Sequence, residues 1–174
     1  MFSINTCPLP DHALLNTYKQ NGAYTDCYTT VIPADVTHAQ YVQAFYSTAI
    51  FKLERSILKW AVSKPSSDKQ VALLASGETN TFAAWSVEGR SENQLLMCDF
   101  QNRTRSWLMI EPIESEGGPK TRLYFGSAVV PAKRSKTGKP SLGLIFSALH
   151  GFHLLYSVAL LFSAKSRLKK EILT

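Results

Sequence analysis

The sequence predicts an α+β fold in which a curved antiparallel sheet is closed by a long C-terminal helix. Two patterns carry this prediction. Four short runs rich in aromatic and β-branched residues follow one another between residues 81 and 130, with turn-forming residues between them, as in an antiparallel meander. The stretch 141–164 then contains no Asp, Glu, Lys or Arg, which is typical of a helix buried on most sides. The length of 174 residues predicts one domain with a substantial core.

An irregular lead-in is predicted for residues 1–22, where Pro8, Pro10 and Gly22 interrupt regular structure around a short helical turn within 11–19. Residues 24–32 are rich in Thr, Tyr and Val, which predicts a strand. The rest of the single domain divides into three parts. We predict the sheet and first helices over 23–131, a basic loop over 132–140, and the C-terminal helix over 141–170.

Two capping boxes, each a Thr or Ser followed three residues later by Gln, mark the starts of helices. They are Thr37 with Gln40, and Ser67 with Gln70. Apolar residues recur every three or four positions after the first box as far as residue 62, with a break predicted at 47–48. The second box predicts a short helix through residue 75 that Gly77 ends.

The four runs of the meander cover 81–90, 94–100, 105–113 and 121–130. The Gly117–Gly118 pair before the last run suits a hairpin turn. In the second and fourth runs, both alternating positions carry apolar residues, so the sequence does not indicate which face is buried. One explanation is a sheet covered on both faces, by the helices on one and by a partner subunit of a homodimer on the other.

The uncharged stretch 141–164 leaves two alternatives open, a buried helix and a membrane helix. It is long enough to span a bilayer, but Ser147, His150, His153 and Ser157 interrupt it and give it a semi-polar strip. Basic clusters at both ends give no orientation by the positive-inside rule. The clusters are Lys133, Arg134, Lys136 and Lys139 before the stretch, and Lys165, Arg167, Lys169 and Lys170 after it.

The net charge of +6 lies largely in these clusters, which are either solvated or in contact with an anionic membrane surface. No aromatic residues alternate with the basic ones, so no nucleic-acid partner is predicted. Cys7, Cys27 and Cys98 are far apart and lack metal-ligand spacing, so we predict no metal, no cofactor and no disulfide framework. The first residues lack a secretory signal, so we expect a cytoplasmic protein, membrane-associated in the second alternative.

No P-loop, dinucleotide-binding or hydrolase motif is present. Large aromatic residues in predicted helices and strands are candidates for the core or for a cavity wall. Arg105 shares strand parity with Trp107 and Glu111. If this face points inward, Arg105 needs an anionic ligand or a carboxylate partner, and if it points outward, the charged residues form surface or structural ion pairs. The weak catalytic candidate is His153, whose reference pKa suits an acid or base. The predicted ligand-binding residues are Trp60, Trp85, Arg105, Trp107, His150 and His153.

The order of strand, helices, antiparallel strands and long helix resembles the helix-grip fold of the START and Bet v 1-like (SRPBCC) superfamily. That resemblance, which rests on element order, implies a cavity between sheet and helix for lipids, sterols or polyketides. Local stretches also resemble a family of uncharacterised bacterial proteins, which implies no known activity. These stretches are 51–60, 82–90, 95–112, 121–131 and 151–157.

Three functional classes follow. The first is a non-enzymatic or weakly catalytic protein that binds an apolar small molecule or lipid in a cavity between the sheet and the C-terminal helix. The second is a cyclase- or hydratase-type enzyme with His153 as acid or base. The third is a membrane-associated accessory protein anchored by 141–164. We expect the first.

Overall fold

The computed structural model describes residues 4–52, 67–130 and 143–173, and the side chains of the C-terminal helix from 154 to 172. Within these residues, seven strands form one open antiparallel sheet and four helices pack with it. The elements are β1 (Asn5–Thr6), α1 (Asn16–Gln20), β2 (Tyr24–Ile32), α2 (His38–Tyr46), α3 (Asp68–Ser76), β3 (Thr81–Phe82), β4 (Trp85–Arg90), β5 (Gln94–Asp99), β6 (Thr104–Ile113), β7 (Lys120–Val129) and α4 (Gly143–Leu173). The predicted α+β class, antiparallel sheet and C-terminal helix are confirmed.

The strand order is β1-β2-β7-β6-β5-β4-β3. Strands β3 to β7 form the predicted meander, and β2 joins its far side by pairing with β7 along nine residues. Asp99 shapes the β5–β6 turn, since its Oδ1 accepts hydrogen bonds from the amides of Arg103 and Thr104, at 2.7 and 3.1 Å. The order places β2, β7 and β6, the three longest strands, side by side.

Both predicted capping boxes are present. The Thr37 side chain accepts a hydrogen bond from the amide of Gln40, and the Gln40 side chain accepts one from the amide of Thr37. Ser67 and Gln70 repeat this arrangement at the start of α3. Gly77 ends α3 with a φ of 84°, in the left-handed region that glycine enters without strain. These local signals lie within a few residues of each other, which is why the sequence predicts them well.

Two boundaries differ from the sequence prediction. The run 81–90 is divided between β3 and β4 by a tight turn at Ala83, whose φ of 53° is unusual for a residue other than glycine. The first long helix ends at Tyr46, close to the predicted break, and a second helical segment runs from 49 to the end of the described range at 52. The predicted continuation to residue 62, with Trp60, lies outside the described residues.

The two faces of the sheet carry separate cores. On the helix-facing side, α2, α3 and α4 pack on residues that include Tyr28, Leu108 and Phe125. On the opposite side, the chain's own residues 7–23 pack Leu15 and neighbouring side chains on Trp107. We call residues 7–23 the N-terminal segment. The sequence prediction of an irregular lead-in overlooked this covering function, and a partner subunit is not needed to cover the second face.

Helix α4 confirms the predicted C-terminal helix and extends it by three residues, since it ends at Leu173 and not at 170. Leu160, Leu161, Ala164 and Leu168 are buried against the helix-side core. In the part of the chain that the structure describes, no helix combines the length and the apolarity needed to cross a bilayer.

Candidate functional site

A row of polar side chains crosses the helix-facing side of the sheet. Asp26 of β2 pairs in register with Ser127 of β7, which pairs in turn with Ser106 of β6. The next row on the same side, Tyr28, Phe125 and Leu108, belongs to the helix-side core. We call Asp26, Ser106 and Ser127 the polar row. It crosses β2, β7 and β6 next to the apolar row that belongs to the helix-side core.

Hydrogen bonds hold the polar row in place. The Oδ1 atom of Asp26 accepts hydrogen bonds from the amide and the hydroxyl of Ser127, at 2.9 and 2.6 Å. Tyr46, at the C-terminal end of α2, places its hydroxyl 3.3 Å from the Oγ of Ser106. Ser106 and Ser127 are buried, and Asp26 is half-buried. The polar row is therefore a rigid set of acceptors and hydroxyls between the sheet and the helices.

Two further polar groups, the hydroxyls of Tyr28 and Ser157, are buried near this layer. Tyr28 lies one row from Asp26, and burial together with the Asp26 carboxylate raises the pKa of the Tyr28 phenol. The Tyr28 hydroxyl faces the Asp26 carboxylate, whereas the buried Oγ of Ser157 on α4 has no hydrogen-bond partner among the described residues. A buried polar group without a partner costs about 1–3 kcal/mol. The Ser157 hydroxyl is therefore a group that a hydrogen bond from a polar ligand atom would stabilise.

The aromatic candidates lie on different sides of the sheet. Trp85 is half-buried and packs against the helix-side core, on the same side as the polar row. Trp107 is fully buried on the opposite side, where its Nε1 donates a hydrogen bond to Gln94 Oε1 at 2.9 Å. Trp107 therefore cannot line a cavity between the sheet and α4, contrary to the sequence prediction, because the strand alternation turns it towards the N-terminal segment. Trp60 lies outside the described residues.

Arg105 is also turned towards the N-terminal segment, so the prediction that it lines a sheet–helix cavity is corrected in the same way. The side chain is buried, and its Nε donates hydrogen bonds to Glu88 Oε2 at 2.7 Å and to the Tyr18 hydroxyl at 2.8 Å. Its guanidinium carbon lies 4.6 Å from the centre of the Tyr18 ring. The predicted carboxylate partner is thus Glu88, and this cluster fastens α1 to the sheet.

Glu111, on the same side, links the N-terminal segment to β7. Its Oε1 lies 3.3 Å from His12 Nε2, and its Oε2 accepts a hydrogen bond from the Tyr124 hydroxyl at 2.6 Å. Burial, and then this hydrogen bond, raises the pKa of Tyr124 to about 12. Together with the Arg105 cluster, these contacts are structural links between the segment and the sheet.

His150 and His153 belong to α4, and their side chains lie outside the described residues, so their predicted ligand-binding and catalytic functions stay predictions. The first basic cluster, residues 133–139, is likewise outside them. Part of the second cluster is used within the fold. Lys165 is 6% exposed and donates a hydrogen bond to Thr30 Oγ1 at 2.6 Å, and Arg167 donates to Glu171 and to the carbonyl of Ser47.

The sequence reasoning missed the polar row, because its members come from three strands. Asp26 and Ser127 are 101 positions apart in the chain. The available signal was a Ser or Asp at one parity of each strand, but neighbouring Thr and Tyr residues conceal it in β2. Strand pairing is needed to show that the three side chains are adjacent.

No protein-family model matches this chain, and no curated protein matches it. The resemblance to a family of uncharacterised bacterial proteins therefore stays a prediction.

Proposed function

We propose that this chain is a binding protein of the helix-grip type, which holds a largely apolar small molecule between the sheet and α4. The polar row carries the proposal. It is a set of hydrogen-bonding groups, buried at Ser106 and Ser127 and half-buried at Asp26, on the helix-facing side of the sheet, where packing alone favours apolar residues. Ligand sites are typically apolar, with a few polar groups that set orientation.

The arrangement of sheet and helices is compatible with the proposal. The sheet has a meander flanked by a strand that pairs with its last member, and a C-terminal helix packs on the same side as α2 and α3. This arrangement is compatible with the helix-grip fold. The rings of Phe45, Tyr46 and Phe82 pack beside the polar row. The ring centre of Tyr46 lies 5.2 Å from that of Phe45 and 5.6 Å from that of Phe82. Tyr46 thus joins the core to the site.

The chemistry of the polar row indicates the polar group of the ligand. The Asp26 carboxylate accepts hydrogen bonds, and a charged acceptor forms stronger bonds than a neutral one. A ligand hydroxyl or amine suits it, whereas an ether or ester oxygen does not. We therefore propose a ligand with an apolar body and one hydrogen-bond donor.

The test compares n-octanol with methyl n-octyl ether, which have apolar chains of the same length but differ in the hydroxyl donor. We expect octanol to raise the Tm of the purified chain more than the ether does. Asp26→Asn keeps the shape and the Oδ1 acceptor but removes the charge, and we expect it to abolish the preference, a loss of about tenfold in relative affinity. Ser91→Ala, in an exposed turn, is the matched control and retains the preference.

Native mass spectrometry of the untagged protein provides an independent readout. We expect an additional apolar mass that dissociates on activation and that is reduced in Asp26→Asn. The proposal is wrong if the wild-type chain carries no such mass and neither compound changes its Tm. It is also wrong if Asp26→Asn prefers octanol as strongly as the wild type does.

A further inference from the structure

The outward side of α4 presents large apolar side chains to solvent. Leu155 is 74% exposed, and Val158 and Phe162 are exposed as well. Their spacing of three and four residues places them on one face of the helix. That face lies opposite the one that buries Leu160 and Ala164 in the helix-side core. We call Leu155, Val158 and Phe162 the outer stripe.

The outer stripe is unusual for a helix on a protein surface. Such a helix normally has charged and polar residues on its solvent side, but α4 has no Asp, Glu, Lys or Arg between residues 154 and 164. Single exposed apolar residues are common, whereas a contiguous exposed patch marks an interaction site. The stripe faces away from the polar row, so a partner bound there is independent of the proposed ligand.

Positive charge continues this face towards the C-terminal end of α4. Lys169 follows Phe162 by seven residues, which is about two helical turns, and the exposed Lys170 is next to it. Phe162 and Lys170 also line the same cleft of about 490 Å³ beside α4. Glu171 lines it too, but its carboxylate forms an ion pair with Arg167 at 2.8 Å, so these two charges offset each other. The outer stripe therefore has lysines at one end.

The size and the charge of this surface favour an anionic lipid surface over a second copy of the chain. A stable protein–protein interface takes roughly 20–30 residues from each partner. Among the side chains that the structure describes on α4, the outer stripe offers three large apolar ones. A bilayer surface accepts a short apolar helix face, and its anionic head groups attract adjacent lysines.

We infer that α4 binds this protein to an anionic lipid surface, with the helix lying along the surface. The side chains of Leu155, Val158 and Phe162 enter the boundary between head groups and acyl chains. Lys169 and Lys170 lie among the lipid phosphate groups.

The test measures binding of the full chain to lipid vesicles by flotation. Vesicles made of equal parts of phosphatidylcholine and phosphatidylglycerol are compared with vesicles of phosphatidylcholine alone. We expect stronger binding to the anionic vesicles. We also expect this preference to decrease at high ionic strength, because salt screens the attraction between lysines and head groups.

Two valines provide a matched pair of variants for the apolar contact. Val158 and Val31 are 38% and 37% exposed, but Val31 lies on β2. We expect Val158→Ser to weaken vesicle binding and Val31→Ser to change it by less than about twofold. Leu155→Ser weakens it by about tenfold or more, because the exposed leucine loses its burial among the lipids. All three changes affect exposed side chains, and thermal unfolding checks that the fold is retained.

A double variant, Lys169→Gln with Lys170→Gln, tests the charge. We expect it to weaken binding to the anionic vesicles by about tenfold. Binding to phosphatidylcholine alone changes little, because the apolar side chains are still present.

Sedimentation velocity without lipid tests a second copy of the chain as the occupant, and we expect a monomer. Self-association that Leu155→Ser abolishes overturns the inference. So does a wild-type chain that fails to bind the anionic vesicles. Equal binding of wild type and Leu155→Ser, or equal weakening by Val31→Ser and Val158→Ser, also contradicts it.

Discussion

His38 is a buried imidazole in a site that disfavours its charged form. Burial lowers the pKa of His38 to about 4, and nearby Arg90 acts in the same direction, while the Leu108 backbone carbonyl opposes them. The unfolded chain has an ordinary pKa near 6.5. Between about pH 6.5 and 4 the unfolded state therefore binds more protons, so the stability contribution of His38 is lost as the pH falls through this window.

We predict that His38→Gln reduces the loss of folding stability on acidification. A full shift from 6.5 to about 4 corresponds to at most about 3 kcal/mol between pH 7 and pH 4. Urea unfolding of wild type and His38→Gln at a series of pH values measures this loss. The carboxylates that titrate in the same range are common to both proteins, so their contribution cancels when the two free energies of unfolding are subtracted. His12→Gln, at a 58% exposed side chain, is the control. Equal losses in wild type and His38→Gln contradict the prediction.

Cys7 and Cys27 bring two thiols into contact. Their sulfur atoms are 3.2 Å apart, at the end of the β1–β2 pairing, where the Cys7 amide also donates a hydrogen bond to the Cys27 carbonyl. Burial raises the pKa of both thiols, and the nearby Asp26 carboxylate adds to this for Cys27. The contact favours a disulfide, whereas the raised pKa values keep the thiolate concentration low at neutral pH.

We predict that diamide oxidises this pair to an intramolecular disulfide. The two thiols lose two hydrogen atoms, and the diamide N=N bond is reduced to a hydrazine. The rate rises with pH because the thiolate is the attacking species. Intact-mass analysis followed by peptide mapping measures the product, with Cys7→Ser as the unreactive control. Linkage through Cys98, which bonds to Asn102 instead, contradicts the prediction.

At the level of elements, close packing between the N-terminal segment and β7 depends on Gly126. A Cβ atom at this position lies 2.9 Å from the Asp26 carbonyl oxygen and from Trp107 Cε3, and 3.0 Å from Leu15 Cδ2. These distances are shorter than normal contacts, and two of the three neighbours belong to fully buried side chains. Glycine is therefore needed here for space, so that the segment can lie against the sheet.

We predict that Gly126→Ala destabilises the fold by about 2 kcal/mol or more, as is typical of overpacking. Gly117→Ala is the matched control, because its Cβ meets only Ser115 Oγ at 3.8 Å, and we expect little change or slight stabilisation. Urea unfolding followed by Trp fluorescence and by circular dichroism gives both free energies. Equal stability of the two variants contradicts the prediction.

The elements also differ in how readily the sequence predicts them. Capping boxes, hairpin turns and the Gly77 helix end depend on residues within a few positions, and all appear in the structure. The division of 81–90 into β3 and β4 was missed because Ala83 adopts a positive φ without the Gly or Asn that usually marks such a turn. Strand β1 was missed because its two residues are part of a strand only through pairing with β2.

For the whole molecule, the sheet has a different covering on each side, and this decides which predicted site residues come together. Trp85 shares the helix-facing side with the polar row, whereas Arg105 and Trp107 share the other side with the N-terminal segment. Strand parity alone placed Arg105 with Trp107 correctly, but it did not indicate the side on which α4 lies. Adjacent residues of one strand therefore face opposite sides of the sheet, one with the polar row and the other with the core beneath the N-terminal segment.

The sequence by itself determined the α+β class, the antiparallel meander, the helix starts and the long C-terminal helix, because periodicity and capping act over short distances. Only the tertiary structure decided which face of the sheet meets the helices, that the N-terminal segment covers the other, and that Asp26, Ser106 and Ser127 form one row. These features depend on the pairing of strands far apart in the chain. No local sequence pattern in any one strand shows which residues of the other strands lie next to it.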